Sequence, residues 1–362
     1  MQAHLISARN TSAIIALITM SNLLMNGFGS IAQDMWLAVI AAAAFSVPPV
    51  LIYCRLARLY PGKCLYDISE VLLGKWACRI AALLFTCYFF YIGVIVARNF
   101  SEFIATISLM LTPKLLIILC LVATSAYLAM GGFYNIGRWA IVVLVICTTN
   151  FVLTLISAFN IGDFTNLLPI MEHEPGEILS TGLSLFSSSF GEVIVAMTAF
   201  SMLKKGASPY KTYFGGVGLG FLILFFAAIR NAMVLGHGMM GISVFPSYIT
   251  ARIIRPDSFI EHIESIASFS LVLIGITKLA VCLRAAGMGC AKILNRDIKD
   301  KRMIIILAAL MTIVCKFSMS NVQDLINFLE EYHYYSLVFI VVLPLVMWII
   351  AEIKSAKTQK TV

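Results

Sequence analysis

Nineteen of the 26 Lys and Arg residues in this chain lie in every second gap between about ten apolar segments, and no other feature constrains its fold as strongly. If the segments cross a membrane in turn, Arg9, the Arg55 to Arg79 group, Arg138, Lys204, Lys205, Lys211, the Arg284 to Arg302 run and the Lys-dotted tail share one side. Lys114, Arg252, Arg255 and Lys316 fall on the other side, and Arg98, Arg230 and Lys278 stand within segments. Such a bias orients a polytopic protein with its basic loops in the cytoplasm, so both termini are expected there. With 60% apolar and 12% charged residues, the composition excludes a soluble domain. The net charge of +8 follows from the loop bias, so a lipid membrane is the expected surrounding and nucleic acid is not an expected partner.

The segments predict an all-α membrane protein of about ten transmembrane helices in a single polytopic domain over 1–362. Spans are expected near 11–31, 35–53, 80–109, 113–131, 140–159, 178–203, 213–235, 263–286, 303–319 and 334–350. Gln33 and Asp34 leave only a tight turn between the first two. Between the second and third, apolar positions from Cys64 to Leu73 recur at helical spacing amid basic residues, which predicts an interfacial helix. An acidic loop with Asp163, Glu172, Glu174 and Glu177 precedes span six. No small-residue cleavage site follows the first apolar run, which is read as a retained helix. Nine scattered cysteines without a C-x-x-C pair indicate neither a metal site nor a disulfide framework.

Spans one and six break the rule that a lipid-facing helix is uniformly apolar. Span one holds Ser21 and Asn22, then Asn26, Gly27, Phe28, Gly29 and Ser30. Span six holds Ser184, then Ser187, Ser188, Ser189, Phe190, Gly191 and Glu192. Small polar clusters of this kind permit an unwound turn whose freed backbone groups bind a polar solute. Counted as five plus five, the spans make one and six equivalent, with a first repeat at about 11–159 and an inverted second at about 178–350. The alternative is that the small residues only let helices pack closely.

Glu192 lies at a depth where a carboxylate costs about 2.5–3.5 kcal/mol unless it is paired, protonated or wetted. It is expected to serve as a proton or cation site, or to pair with Lys278 or Arg98. A structural ion pair that fixes helix register is the plainer alternative. Arg98 and Glu102, spaced i and i+4, are able to satisfy each other. Arg230 is expected to snorkel from span seven. Tyr88 and Tyr91 either line a solute pocket or pack in the bundle. No metal-binding spacing, phosphate loop or nucleophile elbow is present, so no metal, cofactor or enzyme chemistry is expected.

Several stretches together resemble a known family. These are Leu51 to Lys63 followed by Leu73-Gly74-Lys75-Trp76; Arg98-Asn99-Phe100-Ser101-Glu102-Phe103-Ile104; Asn166-Leu167-Leu168-Pro169-Ile170 before Phe190-Gly191-Glu192-Val193-Ile194-Val195; and Phe245-Pro246 with Phe259-Ile260-Glu261-His262-Ile263-Glu264. The set is similar to the B-subunit permeases of endospore germinant receptors, within the amino acid–polyamine–organocation superfamily. That resemblance implies a leucine-transporter-like fold in the inner membrane of a spore. It also implies a subunit that senses a nutrient, with an amino acid as the expected class, beside an A subunit and a lipoprotein C subunit. Phe190, Gly191 and Glu192 match the sixth-span motif, and Arg98 and Glu102 the third-span motif. Span one departs from the family's Gly-x-Gly break.

Solute contacts are expected from Ser21, Asn22, Asn26 and Gly27 with Ser187, Ser188, Ser189, Phe190 and Gly191. Backbone N–H groups at half-helix ends suit a carboxylate, while Glu192 suits an ammonium or a proton. An ion-coupled secondary transporter of amino acids or amines is the alternative on the same fold. A scaffold subunit with an inactive pocket is a third possibility.

Overall fold

The computed structural model describes residues 5–22, 29–204, 206–254, 263–298, 300–318 and 332–359. Asn26 and Gly27 of the expected first break lie outside them. The described residues form a helical bundle: α1 (Ala8–Met20), α2 (Met35–Leu59), α3 (Leu65–Ile107), α4 (Lys114–Met130), α5 (Gly132–Ile161), α6 (Pro175–Leu185), α7 (Pro209–Ile242), α8 (Pro246–Ile253), α9 (Ile263–Ile293), α10 (Lys301–Ser318) and α11 (Leu343–Gln359). Among the described residues seven helices are long and apolar enough to cross a membrane. Three further segments complete the expected ten. α1 has 13 residues, α4 has 17, and α10 has 18 with Lys301, Arg302 and Lys316 among them.

Burial separates centre from periphery. Every residue of α1 from Ala13 to Met20 is buried, so this part of the helix has no lipid face. The same holds for Gly191 to Phe200 in the sixth span. In the most apolar window of that span 89% of residues are buried, against 28% in α5 and in the last span, which therefore face lipid. α3 and α9 pack on each other against this centre and position the charged residues that they carry. Ile6 N–H donates to the Met202 carbonyl at 2.7 Å, and Lys204 N–H to the Ile6 carbonyl at 3.0 Å. The chain's start is thereby tied to the far end of the sixth span.

The interfacial helix expected after span two is the opening of α3. At Gly74, φ is +78° and ψ is 174°, and the axis breaks there before the membrane-crossing part begins. Across the molecule the acidic loop folds onto the turn between the first two spans. The buried Asp34 carboxylate accepts the backbone N–H groups of Met171 (2.9 Å) and His173 (3.2 Å) and lies 2.9 Å from His173 Nδ1. Within that loop Asp163 accepts the Thr165 N–H at 2.8 Å, which holds its carboxyl below the ordinary range. Arg230 does not snorkel, in contrast to expectation. Its guanidinium is buried, donates to Thr154 Oγ1 at 2.8 Å and to Asn231 Oδ1, and lies 5.5 Å from the Phe151 ring. Those neutral partners satisfy its donors inside the bundle and remove the reason to reach for water.

α1 crosses α7 at close range because α7 offers glycine at i and i+4. A Cβ on Gly216 would stand 2.7 Å from the Ser12 carbonyl oxygen, and one on Gly220 would stand 2.7 Å from Thr19 Cβ. Gly218, on another face of α7, has nothing within 4 Å. Gly220→Ala should therefore destabilise the purified protein by about 1–3 kcal/mol through overpacking. Gly218→Ala should be neutral or stabilise by about 0.5–1 kcal/mol. Thermal unfolding in detergent reads both, and equal effects at the two positions would refute the close crossing.

Candidate functional site

The first span loses its α-helix at the residues that the sequence marks. α1 ends at Met20 with Ser21 as its C-cap, Ser21 Oγ donating back to the Ile18 carbonyl at 2.8 Å. Past Asn22 the next described residues, Gly29–Asp34, form a short 3₁₀ segment. The sixth span has a different irregularity. α6 passes into a π turn at Phe186–Phe190, followed by a 3₁₀ run at Gly191–Met202. A 3₁₀ run of 12 residues is unusual, because its hydrogen bonds are poorly aligned and few helices continue that way. Gly191 belongs there for a steric reason: a Cβ would stand 2.7 Å from Ile340 Cδ1 of the last span.

The two irregular stretches touch. Asn22 Nδ2 donates to the Ser188 carbonyl in the π turn. Beside that contact Lys278 of α9, fully buried, pairs with the equally buried Glu192 carboxylate and donates to Ser21 Oγ at 2.8 Å. The other carboxylate oxygen of Glu192 accepts the Tyr332 hydroxyl at 2.7 Å, and Tyr332 lies 3.3 Å from the Tyr88 hydroxyl. One unbroken polar chain thus runs Ser21, Lys278, Glu192, Tyr332, Tyr88. It joins the first, eighth, sixth, tenth and third spans at the depth where helices one and six are irregular.

Aromatic rings close around the chain. Tyr88 stacks on Phe339 with centroids 4.5 Å apart and planes 4° from parallel, and Tyr91 tilts against Tyr332 at 6.2 Å. In this low-dielectric setting each charge is matched by an opposite charge and a neutral donor or acceptor, the condition under which a buried ion pair is tolerated. The described residues account for two of the three N–H donors on Lys278.

The serines differ among themselves. Ser187 Oγ donates to the Leu183 carbonyl at 2.9 Å and Ser188 Oγ to Ser184 at 2.8 Å, back-bonds that occupy both hydroxyl hydrogens within the helix. Ser189 Oγ is buried and finds no hydrogen-bond partner among the described residues. Of the charged residues expected near Glu192, Lys278 is there and Arg98 is not. Arg98 Nη2 lies 2.5 Å from Glu102 Oε1, and Lys114 at the start of α4 lies 2.9 Å from Glu102 Oε2, forming a separate charge cluster. Tyr332 is the site residue absent from the sequence reading, which began span ten at Tyr334. The one local signal was a hydroxyl-bearing aromatic just ahead of an apolar run.

The sequence model of a family described as spore germination protein matches residues 5–324. Among curated proteins, the chain is 23% identical over 384 residues to spore germination protein KB of Bacillus subtilis (strain 168), covering 100% of this chain and 98% of that one. It is also 23% identical over 338 residues to spore germination protein A2 of the same strain, covering 90% and 88%. Among solved structures, Mhp1, a nucleobase-cation-symport-1 family transporter closed around bromovinylhydantoin, superposes with a TM-score of 0.64 at 12% identity. The match covers 96% of this chain and 78% of that one. MhsT in complex with L-phenylalanine gives a TM-score of 0.58 at 13% identity, covering 97% and 89%. At such identities the likeness shows the fold alone, a leucine-transporter-like bundle.

Breaking the pair from one side should be costly. Lys278→Met leaves Glu192 buried and uncompensated, for an expected loss of about 3–5 kcal/mol. The double variant Lys278→Met/Glu192→Leu should recover most of it. A double-mutant cycle by thermal unfolding measures the coupling, and simple additivity of the two single changes would contradict the pairing.

Proposed function

The chain belongs to the spore germination protein family, and from that premise we propose that it is the nutrient-sensing, permease-like subunit of a germinant receptor. It binds a small amino acid between spans one and six, in the inner membrane of the spore, with both termini cytoplasmic. It acts together with an A subunit and a lipoprotein C subunit. The observation that carries this reading is the buried chain from Ser21 to Tyr88, set where the two irregular helices meet.

The chemistry of that place suits a zwitterion. The free donor capacity of Lys278 and the backbone N–H groups near the breaks match a carboxylate. Glu192 and the unpartnered Ser189 hydroxyl match an ammonium. A ligand that draws Lys278 toward its own carboxylate and Glu192 toward its own ammonium exchanges one internal ion pair for two intermolecular ones. Ser21 and Tyr332 lose their present partners at the same time, so the spans that carry them are biased toward a new arrangement. That bias, passed to the partner subunits, is a population shift. Carrying an equilibrium from 1:99 to 99:1 takes about 5.5 kcal/mol. Coupling energies of close buried charge pairs reach that scale.

The likeness in fold to a cation symporter supports a second reading, an ion-coupled transporter. Lys278 weighs against sodium coupling. Transporters with broken helices hold their cation at unwound carbonyls and half-helix C-terminal ends. Here a tethered ammonium already stands at the C-terminal end of α1, bonded to its C-cap Ser21. Binding of labelled amino acids to the purified protein should therefore persist when choline replaces Na⁺. A strict Na⁺ requirement, or uptake into proteoliposomes driven by a Na⁺ gradient, would favour the transporter.

In spores, Glu192→Gln should shift the nutrient dose response by about tenfold or more while co-purification with the A and C subunits is kept. A normal dose response in that variant would remove Glu192 from the site. If Asn22→Leu and Ser188→Leu also leave germination unchanged, the proposed pocket is inactive and the subunit is a scaffold.

A further inference from the structure

The end of the molecule that carries the basic loops has a polar hollow, of about 280 Å³, at the elbow where α3 breaks. Its lining includes Glu70, Lys75, Cys78, Arg79, Lys292 and Asn295. Several contacts fix its walls. Tyr66 of the interfacial part donates its hydroxyl to the Ala285 carbonyl of α9 at 2.9 Å, and Cys78 Sγ reaches the Tyr66 carbonyl at 3.6 Å. Lys354 of α11 donates to the Val71 and Leu72 carbonyls at 2.9 and 2.8 Å, capping the interfacial part just before Gly74.

The charges in the hollow are unevenly matched. Lys292 Nζ lies 2.8 Å from Asp67 Oδ1 and 2.6 Å from Glu70 Oε2, so both carboxylates of the interfacial part converge on one ammonium. Lys75 and Arg79, one helical turn apart, have no carboxylate partner among the described residues. Arg79 lies 5.4 Å from the Trp76 ring instead. The vicinity therefore holds three cations against two carboxylates, and both carboxylates are already engaged.

The surface beside it is apolar. Trp76 is 81% exposed, Ile80 64% and Leu83 52%, forming an oily strip that continues down α3 from the rim. An exposed Trp at the head of an apolar strip, next to unpaired Lys and Arg, is the pattern of a membrane interface.

We propose that this hollow binds the phosphate headgroup of an anionic phospholipid, with Lys75 and Arg79 as its charge partners and the acyl chains lying along Ile80 and Leu83. Free phosphate shares the headgroup chemistry. The strip favours the lipid, because a soluble anion makes no use of it. The volume suits a phosphoglycerol group, being about nine times the share of one liquid water. A lipid seated there links α3 and α9, the helices that carry Tyr88 and Lys278. The proposal stands independently of what the central site binds.

The test uses the full-length protein, purified in mild detergent and given equal amounts of phosphatidylglycerol and phosphatidylcholine with the same chains. Retained lipid is counted by native mass spectrometry. The wild type should retain phosphatidylglycerol over phosphatidylcholine by about thirtyfold, the scale of two interfacial charges. K75Q/R79Q should lose that preference. K75R/R79K should keep it, as should K63Q, which removes a basic residue outside the hollow. Equal retention of the two lipids by the wild type overturns the proposal, and so does a preference that survives K75Q/R79Q. If the double glutamine variant does not purify as a single species, R79Q alone takes its place, with a partial loss expected. Thermal stabilisation by inorganic phosphate equal to that by short-chain phosphatidylglycerol, at matched concentration, would assign the hollow to free anions and overturn the lipid reading.

Discussion

A lysine and a glutamate that neutralise each other out of reach of water set the terms for the middle of this molecule. Neither charge is tolerable there alone, and each needs a further hydrogen bond beyond the other. Satisfying Lys278 requires Ser21 at the end of α1, and satisfying Glu192 requires Tyr332 ahead of α11. Four separate spans must therefore arrive at one point in register, and a fifth joins through Tyr88. The irregular geometry of spans one and six follows from the same demand. A regular α-helix buries its polar backbone along its own axis, whereas a π turn passing into a 3₁₀ run re-aims side chains and leaves carbonyls such as that of Ser188 to accept a partner.

The rest of the architecture protects that point. The most central stretches, α1 from Ala13 onward and Gly191 to Phe200 of span six, are buried throughout, whereas α5 and the last span turn most of their apolar windows outward to lipid. Without a hydrophobic driving force between helices in lipid, contact depends on how closely backbones approach, which is why Gly216 and Gly220 lie against α1. Charges elsewhere follow the same rule. Arg98, Glu102 and Lys114 form a closed group of their own, and Arg230 rests on hydroxyl, amide and ring partners.

Much of this was legible in the residue order because a polar group in an apolar run is a local signal. The two breaks, the depth of Glu192, the candidacy of Lys278 and the interfacial helix ending near Gly74 all follow from composition over short windows. Choosing between Lys278 and Arg98 was not possible that way, since both sit in apolar helices and only the packing of α9 on the centre decides. Tyr332 was missed because a phenol near a span boundary reads as an interfacial ring until its hydroxyl is seen to meet a carboxylate. Ser187, Ser188 and Ser189 look equivalent in a string. Helix geometry distinguishes them, turning two hydroxyls onto their own carbonyls and leaving the third without one. The snorkelling expected of Arg230 failed because Thr154 and Phe151, far away in sequence, supply what water would have supplied.

The short backbone pairing of Ile6 with Met202 and Lys204 has a mechanical meaning. It is a latch between the lead-in to the first irregular helix and the tail of the second. Two backbone hydrogen bonds close it, so separating the two ends on that face breaks both.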